Sequence, residues 1–434
     1  MNKIIISMGL AAVGTAALQM NCAAQSSPLE ATPKDWNVSA ALRGFYDDNY
    51  VTSPNRQGST GVEFSPTASA SVPFAQTEIG FLYSYDLQYY QHREDLHQNA
   101  YDQSHNFNLW LDHAFNEEWN VKVNDTFVVG QEPELLAGPG APATYQRLEG
   151  NNIANNATVD LHTDWSTQFS TELTYGNYFS QYSQNQPTYN ATKTEVVAAS
   201  YAGELNRDQN SIDLEGQWHF SPETMVTLGY QFQDVNYLGD QSIGYFNTAV
   251  YSDSRDNDSH FVYVGAQHNL LPNLVAAAKA GIQYDDYYNH TANDAKNATS
   301  PYADVSVIYT YLPGCNAQVG FTQARNSTDY VGINQTTGSE TLDQESSSAH
   351  ASINHHFTPR FLGSVVASWT SSTFNGGQYN NESDDFYAVG LSANYVITRN
   401  ISAEADYNYS DLSSDIAGRG YDRNRITLGL SVSY

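Results

Sequence analysis

Apolar and polar residues alternate with a period of two through most of this 434-residue chain. The segment 77–90 shows the pattern most clearly, because from residue 79 onward its outward parity holds only apolar or aromatic residues: Ile79, Phe81, Tyr83, Tyr85, Leu87 and Tyr89. Successive side chains of a β-strand point to opposite faces, so this parity predicts a strand with one apolar face. Six such residues on one face are enough to span the hydrocarbon core of a bilayer.

The same alternation recurs in segments that come in pairs, and it is clear at 107–111, 169–175, 212–220, 226–232, 303–311, 387–395 and 401–409. Within a pair the join is tight and contains Pro or a charged residue, at 72–74, 116–118, 221–223, 271–273, 312–314 and 358–360. Between pairs the joins are long and polar. A first strand at 36–46, eight hairpins and a last strand at 425–434 give about 18 strands, with 16 and 20 as alternatives. The pattern therefore predicts an all-β fold, a transmembrane antiparallel up-and-down β-barrel with short periplasmic turns and long extracellular loops.

Charged residues test this prediction independently, because a charge on the lipid face of a barrel is costly at mid-bilayer. Most charges in the predicted strands take the parity opposite the apolar face, which makes them pore-lining candidates: Arg43, Glu78, Asp86, Asp112, Lys122, Asp160, Glu172, Asp213, Glu215, Lys279, Asp304, Glu404, Asp406, Arg423 and Arg425. Asp125 is the exception, since it shares parity with Val123 and Phe127. A bulge or a shifted register would explain it.

The first residues have the three regions of a secretory signal. Lys3 supplies the positive charge, residues 4–18 form an apolar core too short to span a membrane, and the small residues Ala23 and Ala24 offer a cleavage site. We expect residues 1–24 to be the signal peptide, 25–35 a short periplasmic segment and 36–434 the barrel. Lipid modification of Cys22 is the alternative, although Met20 and Asn21 are poor residues before a lipidated cysteine. After cleavage near Ala24 only Cys315 remains, so no intramolecular disulfide is expected.

The composition narrows the class of partner. The net charge is −29, from 47 acidic and 18 basic residues, which argues against nucleic acid as a partner because phosphate binding needs basic patches. Aromatic residues make up 13% of the chain, with 32 tyrosines, and this favours aromatic belts at the two membrane surfaces. An acidic excess also fits a lumen that attracts cations.

The last strand alternates to its end through Ile426, Leu428, Leu430, Val432 and Tyr434. This resembles the C-terminal signal of Gram-negative outer-membrane proteins that the barrel assembly machinery recognises. In layout the chain resembles an outer-membrane β-barrel porin family of large single-domain barrels. The resemblance implies a location in the cell outer membrane, the assembly machinery as a partner through the strand ending at Tyr434, and a role in transport.

Other residue groups suggest chemistry that their positions do not support. His113, His268 and His355 each lie two residues before the last outward apolar residue of a descending strand, which predicts an interfacial belt rather than a metal site. Acidic clusters at 285–286 and 382–385 lack the spacing of a calcium loop and are interpreted as solvated loop charge. Catalysis at Ser352 with His350 or His356 is not supported by any spacing. We therefore expect no enzyme activity, no catalytic residue, no metal and no cofactor.

The segment 131–150 is the most distinctive loop, because it contains Gly138-Pro139-Gly140 and directly follows a strand. A surface loop is the favoured interpretation. The alternative is a loop folded into the lumen, in which case Glu132, Glu134 and Arg147 are candidates for a constriction.

About 18 strands enclose a water-filled lumen, whereas eight are filled by their own side chains. The sequence therefore predicts a porin-like channel for passive diffusion of small hydrophilic solutes, with a preference for cations. The alternatives are a non-conducting barrel that acts as a surface anchor or binding protein, and a component of polysaccharide or envelope export. Outer-membrane lipid is the expected surrounding partner, and association of several copies of the chain stays open.

Overall fold

The computed structural model describes residues 35–96, 98–131, 144–147, 152–191, 195–239, 241–289 and 296–434. The signal-peptide prediction for residues 1–24 and the predicted periplasmic segment lie outside these ranges, apart from Asp35. No helix in the described ranges has the length and apolar character needed to cross a membrane.

Strands make up almost all of the described chain. They are β1 (Trp36–Asp47), β2 (Ser59–Pro73), β3 (Thr77–Tyr90), β4 (Tyr101–Ala114), β5 (Trp119–Gly130), β6 (Asn152–Asp164), β7 (Phe169–Tyr182), β8 (Thr188–Tyr189), β9 (Val196–Ala198), β10 (Arg207–Ser221), β11 (Thr224–Tyr237), β12 (Ser242–Phe246), β13 (Thr248–Tyr251), β14 (Asn257–Leu271), β15 (Leu274–Asp286), β16 (Asn297–Leu312), β17 (Cys315–Ser327), β18 (Thr341–Thr358), β19 (Phe361–Gly376), β20 (Ser383–Thr398), β21 (Ile401–Ser414) and β22 (Tyr421–Ser433). Two five-residue helices, α1 (Gln91–Asp95) and α2 (Tyr201–Leu205), and the 3₁₀ turn η1 (Ser252–Arg255) lie in the long loops.

Eighteen of these strands form one antiparallel sheet that closes on itself. Each strand pairs with its neighbours in the chain, and β1 completes the barrel by pairing with β22, where Arg43 lies opposite Gly429. Closure leaves no sheet edge, so the backbone donors and acceptors of every barrel strand have partners within the hydrocarbon region. The predicted strand number and up-and-down topology are confirmed.

The outer face of the barrel is apolar, as the alternation predicted. Leu428 is 61% exposed and Phe220 is 78% exposed, and neither packs into a protein core. Segment 77–90 forms β3 with the predicted boundaries, whereas β22 begins at Tyr421, four residues before the predicted strand. This early start reflects pairing with β21, because residues 421–424 lie opposite residues 409–412 beyond the last pair with β1 at Asp47 and Arg425.

Asp125 lies on the outer face, and neither proposed explanation for it is correct. The pairings of β5 with β4 and with β6 run without a bulge, and Asp125 lies opposite the outward-facing Leu109. Its neighbours Asn124 and Thr126 face inward and both accept hydrogen bonds from Asn108. The predicted register is therefore right, and the carboxylate faces outward.

Glycines let aromatic rings lie flat against the inner wall of the barrel. The ring of Tyr263 covers Gly229 on the adjacent strand so closely that a Cβ there would lie 2.2 Å from it. Trp110 covers Gly80 in the same way, at 2.0 Å. Such pairs fill the space left by a missing side chain and fix the local register.

Candidate functional site: the inner wall and the extracellular mouth

All fifteen pore-lining candidates lie on the inner face of the barrel strands, since each takes the parity opposite the exposed apolar residues of its strand. They are not spread evenly. Most fall into three groups, which differ in how many carboxylates surround each basic group.

The first group, here the Arg43 cluster, spans β1, β2, β3, β21 and β22. Arg43 lies between two carboxylates, with its guanidinium 2.8 Å from Glu63 and 2.8 Å from Glu404. Arg425 lies 2.9 Å from Glu63 on the other side. Asp86 accepts a hydrogen bond from Ser65, which also binds Arg43 at 3.1 Å, and Asp406 lies two residues from Glu404 on β21. Both guanidinium groups are thus held by carboxylates.

The second group, here the Glu215 cluster, spans β7, β10, β14, β15 and β16. Glu172 and Glu215 lie directly opposite each other on adjacent strands, an arrangement that repulsion between like charges disfavours. The side-chain amide of Gln217 offsets part of this by donating to Glu172 at 2.9 Å. The Tyr263 hydroxyl lies 2.7 Å from Asp213 and 2.8 Å from Glu215.

Lys279 is the one basic group of the Glu215 cluster among the described residues, and its ammonium binds Glu215. It lies opposite Asp304 on β16. Four carboxylates therefore share one ammonium group here, which leaves the cluster with an excess of negative charge.

The third group, here the Lys122 row, crosses the wall in the periplasmic half. Glu78, Asp112, Lys122 and Asp160 lie directly opposite one another on β3, β4, β5 and β6. Asn120 donates to Asp112 at 2.6 Å, and Thr174 donates to Asp160 at 2.6 Å. Three carboxylates flank one ammonium group in this row.

Arg423, the remaining candidate, lies at the extracellular rim. Its guanidinium donates to both oxygens of Asp47, at 3.0 and 3.1 Å through Nε. The pair lies at the top of β1 and β22, where it connects the first and last strands of the barrel.

Thr144–Arg147, the described part of the loop between β5 and β6, lies inside the barrel mouth. Tyr145 is 1% exposed and packs against the inward-facing Phe386, Leu412 and Tyr421 on β20, β21 and β22. The hydroxyl of Tyr421 donates to the Tyr145 carbonyl at 2.5 Å. These strands are five to seven positions from β5 around the barrel, so the segment reaches across the mouth. The surface-loop interpretation is wrong for these four residues.

Arg147 anchors the near side of this segment. Its guanidinium donates to both oxygens of Asp102 at 2.8 Å, and Arg93 binds the same carboxylate at 2.7 Å. Two guanidinium groups therefore share one carboxylate at the rim. Glu132 and Glu134, the other constriction candidates, lie outside the described residues.

Arg419 joins two further loops at the mouth. It donates to Asp384 at 2.7 Å and to Asp329 at 2.7 Å, and all three groups are buried. These carboxylates raise the pKa of the Arg419 guanidinium further, against the effect of burial. The ion pair of Arg419 with Asp329 fixes the loop 415–420 to the loop 328–340.

Glu204 on α2 contacts the same loop from the other side. The backbone amide of Val331 donates to its carboxylate at 3.3 Å. Burial raises the pKa of Glu204 to about 8, although Arg255 nearby lowers it. Around it Ile243, Val250, Val331 and Ile333 form a small apolar core between three loops.

A cavity of about 680 Å³ lies beside this core, among the loops 183–206, 238–256, 328–340 and 377–382. Its lining includes Tyr201, Tyr245, Tyr330 and Tyr379. The loops over this side of the barrel are therefore packed against one another and enclose a chamber.

The structure corrects the interpretation of two acidic residues. Asp285 and Asp384, interpreted as solvated loop charge, are buried on the inner wall, where Asp285 accepts from Ser259 at 2.5 Å and Asp384 binds Arg419. Within the described ranges no group of three or more metal-ligating side chains is suited to hold a metal ion.

The three belt histidines lie on the outer face beside the periplasmic turns. Each ring nitrogen Nδ1 lies within hydrogen-bond distance of a hydroxyl, on the adjacent strand for His113 and His268 and on β16, the next strand but one, for His355. The partners are Thr77 for His113 at 2.7 Å, Thr224 for His268 at 2.9 Å and Tyr311 for His355 at 2.9 Å.

Several inner-wall residues escaped the sequence analysis. Glu63 alternates with Val62 and Phe64, so its parity alone identifies it as inward-facing. Arg325 gives no such signal, because its parity is that of the outer face. The pairing of β16 with β17 ends at Ala303 and Gln323, and beyond it β17 departs from β16, so that the Arg325 backbone amide donates to the inward-facing Gln283 of β15 at 2.9 Å.

Comparison with known proteins relates the C-terminal part of the chain to one family. Residues 322–434 match the model of the family described as "Putative beta-barrel porin 2". No curated protein sequence matches the chain. Solved structures that are similar include the outer-membrane protein OpdK of Pseudomonas aeruginosa, with 11% identity over 92% of this chain and 99% of that chain and a TM-score of 0.44.

Two more similar structures are OccAB4 of Acinetobacter baumannii and the FrpB iron transporter of Neisseria meningitidis. OccAB4 has 13% identity, coverage of 92% of this chain and 99% of that chain, and a TM-score of 0.41. FrpB has 9% identity, coverage of 93% and 82%, and a TM-score of 0.41. The class of this protein rests on its own closed barrel and on the family model. It is a porin-like β-barrel of the outer membrane.

Proposed function

We propose that this chain is a diffusion channel for small hydrophilic solutes that prefers cations. The observation that supports this most directly is the charge of the inner wall. The candidate residues comprise ten carboxylates and five basic groups, which is a formal excess of five negative charges among them.

The arrangement of the basic groups strengthens the argument. Arg43, Arg423 and Arg425 each lie within 3.0 Å of a carboxylate, and Lys279 binds Glu215. A paired cation offers little positive potential to a passing anion, whereas the carboxylates in excess attract cations. Low-dielectric walls strengthen this effect, because they focus the field into the lumen.

Contacts at the extracellular mouth support a further part of the proposal, namely that solutes pass through a narrowed entrance. Tyr145 contacts the far wall of the barrel, and Arg147 is fixed to the near wall by Asp102. A segment tied at both sides reduces the cross-section available to solutes. We infer that the segment containing Arg147 forms a constriction, and that Arg93 and Arg147 lend it local positive charge.

Ion permeation through the purified protein in a planar lipid bilayer tests the proposal. With a tenfold gradient of KCl, insertions should give stepwise currents, and the reversal potential should have the sign for potassium more permeant than chloride. A chloride preference would contradict the inner-wall argument. Heat-modifiable migration of the same preparation shows that the barrel is folded.

A second candidate function is a non-conducting barrel that presents a binding surface outside the cell. The packed loops favour it, since they form their own apolar core around Val331 and Ile333 and enclose the cavity near Glu204. A bilayer that stays silent with folded protein would favour this candidate over the channel.

A further inference from the structure

The cavity of about 680 Å³ among the extracellular loops, here the tyrosine cavity, has a wall rich in aromatic rings. Tyr201, Tyr245, Tyr330 and Tyr379 line it, and each of these residues is half-buried. Its volume lies within the range of about 300–1,000 Å³ that is typical of sites for small ligands. The groups that line it indicate which ligand chemistry it can hold.

Two of these rings are held in place by contacts within the protein. Tyr330 and Tyr379 form an angled pair, with ring centroids 5.1 Å apart and planes inclined by 43°. The Arg419 guanidinium, which two carboxylates hold, lies 5.1 Å from the centroid of the Tyr330 ring. The Tyr379 ring covers Gly332 so closely that a Cβ there would lie 2.5 Å from it. A ligand therefore meets an aromatic wall that is already ordered, which lowers the entropic cost of binding.

The charges of the wall argue against an anion as the ligand. None of the described residues that line the cavity is Lys, Arg or His, so a phosphate or carboxylate would have no cationic partner there. Two carboxyl groups line it instead. Glu195 is exposed, and Asn190 donates to it at 3.0 Å, whereas Glu204 is buried. Burial raises the pKa of Glu204 to about 8, so this carboxyl is uncharged at neutral pH and favours an uncharged ligand beside it.

Hydrogen-bonding side chains lie beside the rings. Gln335 and Gln378 are exposed at the entrance, and each amide offers two hydrogens and an acceptor oxygen. Gln184 is held by the backbone amide of Tyr201, which donates to its carbonyl oxygen at 2.7 Å. The protonated carboxyl of Glu204 can donate one hydrogen bond and accept others. The wall thus presents donors and acceptors next to flat aromatic faces.

A ligand that suits this wall has an apolar face and polar edges. A purely apolar ligand would cover the hydroxyl and amide groups without replacing their hydrogen bonds to water, which is costly. A small polar ion would leave the rings uncovered. A sugar ring meets both requirements, because the C–H groups of one face can lie on an aromatic ring while its hydroxyls reach polar side chains.

We propose that the tyrosine cavity binds an uncharged saccharide, either a short oligosaccharide or the end of a longer chain. One sugar ring packs on the rings of Tyr330 and Tyr379. Its hydroxyls bond to the amide of Gln378 at the entrance and to the buried carboxyl of Glu204. The site lies among the loops and not on the inner wall of the barrel strands, so this binding does not depend on conduction through the lumen.

Isothermal titration calorimetry of the folded protein tests the proposal, in a zwitterionic detergent because detergents with sugar headgroups would compete. The probes are neutral tri- and tetrasaccharides of glucose, galactose, mannose and N-acetylglucosamine, and polysaccharide extracted from the surface of the cells that make the protein. We expect saturable binding at one site per chain.

The two kinds of probe distinguish the sources of the ligand. Polysaccharide that competes with a bound oligosaccharide identifies the cell's own envelope as a source, and binding of oligosaccharides alone identifies free sugars. Tetraethylammonium and glucose 6-phosphate are the charged probes and should not bind. Binding of a charged probe alone, or of no saccharide in either form, would overturn the proposal.

Substitutions in the wall locate the binding. Tyr379→Ala should weaken it by about tenfold or more, because a ring that contacts the sugar is lost, whereas Tyr379→Phe keeps the ring and should retain most of the affinity. Gln378→Ala removes only an exposed amide and should weaken binding several-fold, so the test does not depend on loops that Tyr379→Ala could loosen.

The matched controls are Tyr251→Ala and Gln186→Ala, at exposed residues of the same loops that do not line the cavity. Both should bind as wild type does, and heat-modifiable migration shows that every variant is folded. Saccharide binding of equal affinity in wild type, Tyr379→Ala and Gln378→Ala would place the sugar elsewhere and refute the proposed site.

Discussion

The ring of Tyr145 stacks on the ring of Phe386, with the centroids 4.5 Å apart and the planes inclined by 30°. The two residues belong to opposite sides of the barrel, since Tyr145 follows β5 and Phe386 lies on β20. This contact therefore holds a segment of chain across the mouth of the lumen.

Removal of the Tyr145 ring should widen the entrance. Loss of a buried aromatic ring costs about 3 kcal/mol or more, enough to release the segment from the wall for much of the time. We expect Tyr145→Ala to raise the single-channel conductance in planar bilayers. Tyr189→Ala, at an exposed tyrosine of another loop, is the control and should leave conductance at the wild-type value. Equal conductance in Tyr145→Ala and wild type would show that the segment does not limit flow.

The Lys122 row predicts opposite changes of ion selectivity from substitutions in one place. Lys122→Gln removes the ammonium group between Asp112 and Asp160 and should increase the preference for potassium over chloride. The double variant Asp112→Asn with Asp160→Asn should reduce it. Reversal potentials under a KCl gradient measure both effects, and Asp411→Asn on the outer face serves as the control. Shifts of the same sign in both variants would contradict the account of the row.

The loops around Glu204 should lose stability as the pH rises. The pKa of this carboxyl is raised to about 8 in the folded loops, above its ordinary value of 4.5, so the folded form binds the extra proton between these values. Its contribution is fully present below pH 4.5 and is lost as the pH rises through 8. Hydrogen exchange of residues 195–206 should therefore be faster at pH 9 than at pH 5, after correction for the intrinsic rate.

Glu204→Gln separates this effect from other titrations. Glutamine keeps an oxygen that can accept from the Val331 amide and carries no titratable proton. The corrected exchange of these residues should then lose most of its dependence on pH, while the barrel strands behave as in wild type. A slope that survives the substitution would assign the effect to another group, such as Asp256, whose pKa burial raises to about 6.

The fit of Tyr263 over Gly229 predicts a steric effect on barrel stability. A Cβ at Gly229 would overlap the ring, so Gly229→Ala should destabilise the barrel by about 1–3 kcal/mol. Gly44→Ala is the matched control, because a Cβ there meets nothing within 4 Å. Loss of the compact, heat-modifiable band with increasing urea measures both. Similar midpoints for the two variants would mean that the ring moves aside at little cost.

The barrel itself could be predicted because the alternation that decides which side chains face lipid can be followed within each single strand. Whether Leu428 or Gly429 faces lipid depends on parity along one strand, and parity is visible in the sequence. Charge placement obeys the same rule, and even Asp125 lies where its parity put it. The bulge suggested to explain it was unnecessary, because a patch of polar surface can itself face outward.

The mouth could not be predicted in this way. The contact of Tyr145 with Phe386 and the pair of Arg419 with Asp329 join residues that are far apart in the chain, and no periodic pattern connects them. Arg325 could not be predicted for a related reason. Beyond Gln323 its strand, β17, no longer pairs with β16, so the parity of a residue there does not indicate which face its side chain takes. Burial of Glu204 likewise results from loops that are far apart in the chain.

Thiol labelling of two adjacent residues on β21 tests the central claim, that one face of each strand meets water inside the barrel and the other meets lipid. In folded protein in liposomes, with Cys315 replaced by Ser, a charged methanethiosulfonate reagent should modify Glu404→Cys rapidly and lower the conductance. The same reagent should leave Ala405→Cys unmodified, while a lipid-soluble maleimide reaches it. Equal labelling of both positions by the charged reagent, or labelling of Ala405→Cys alone, would contradict the account.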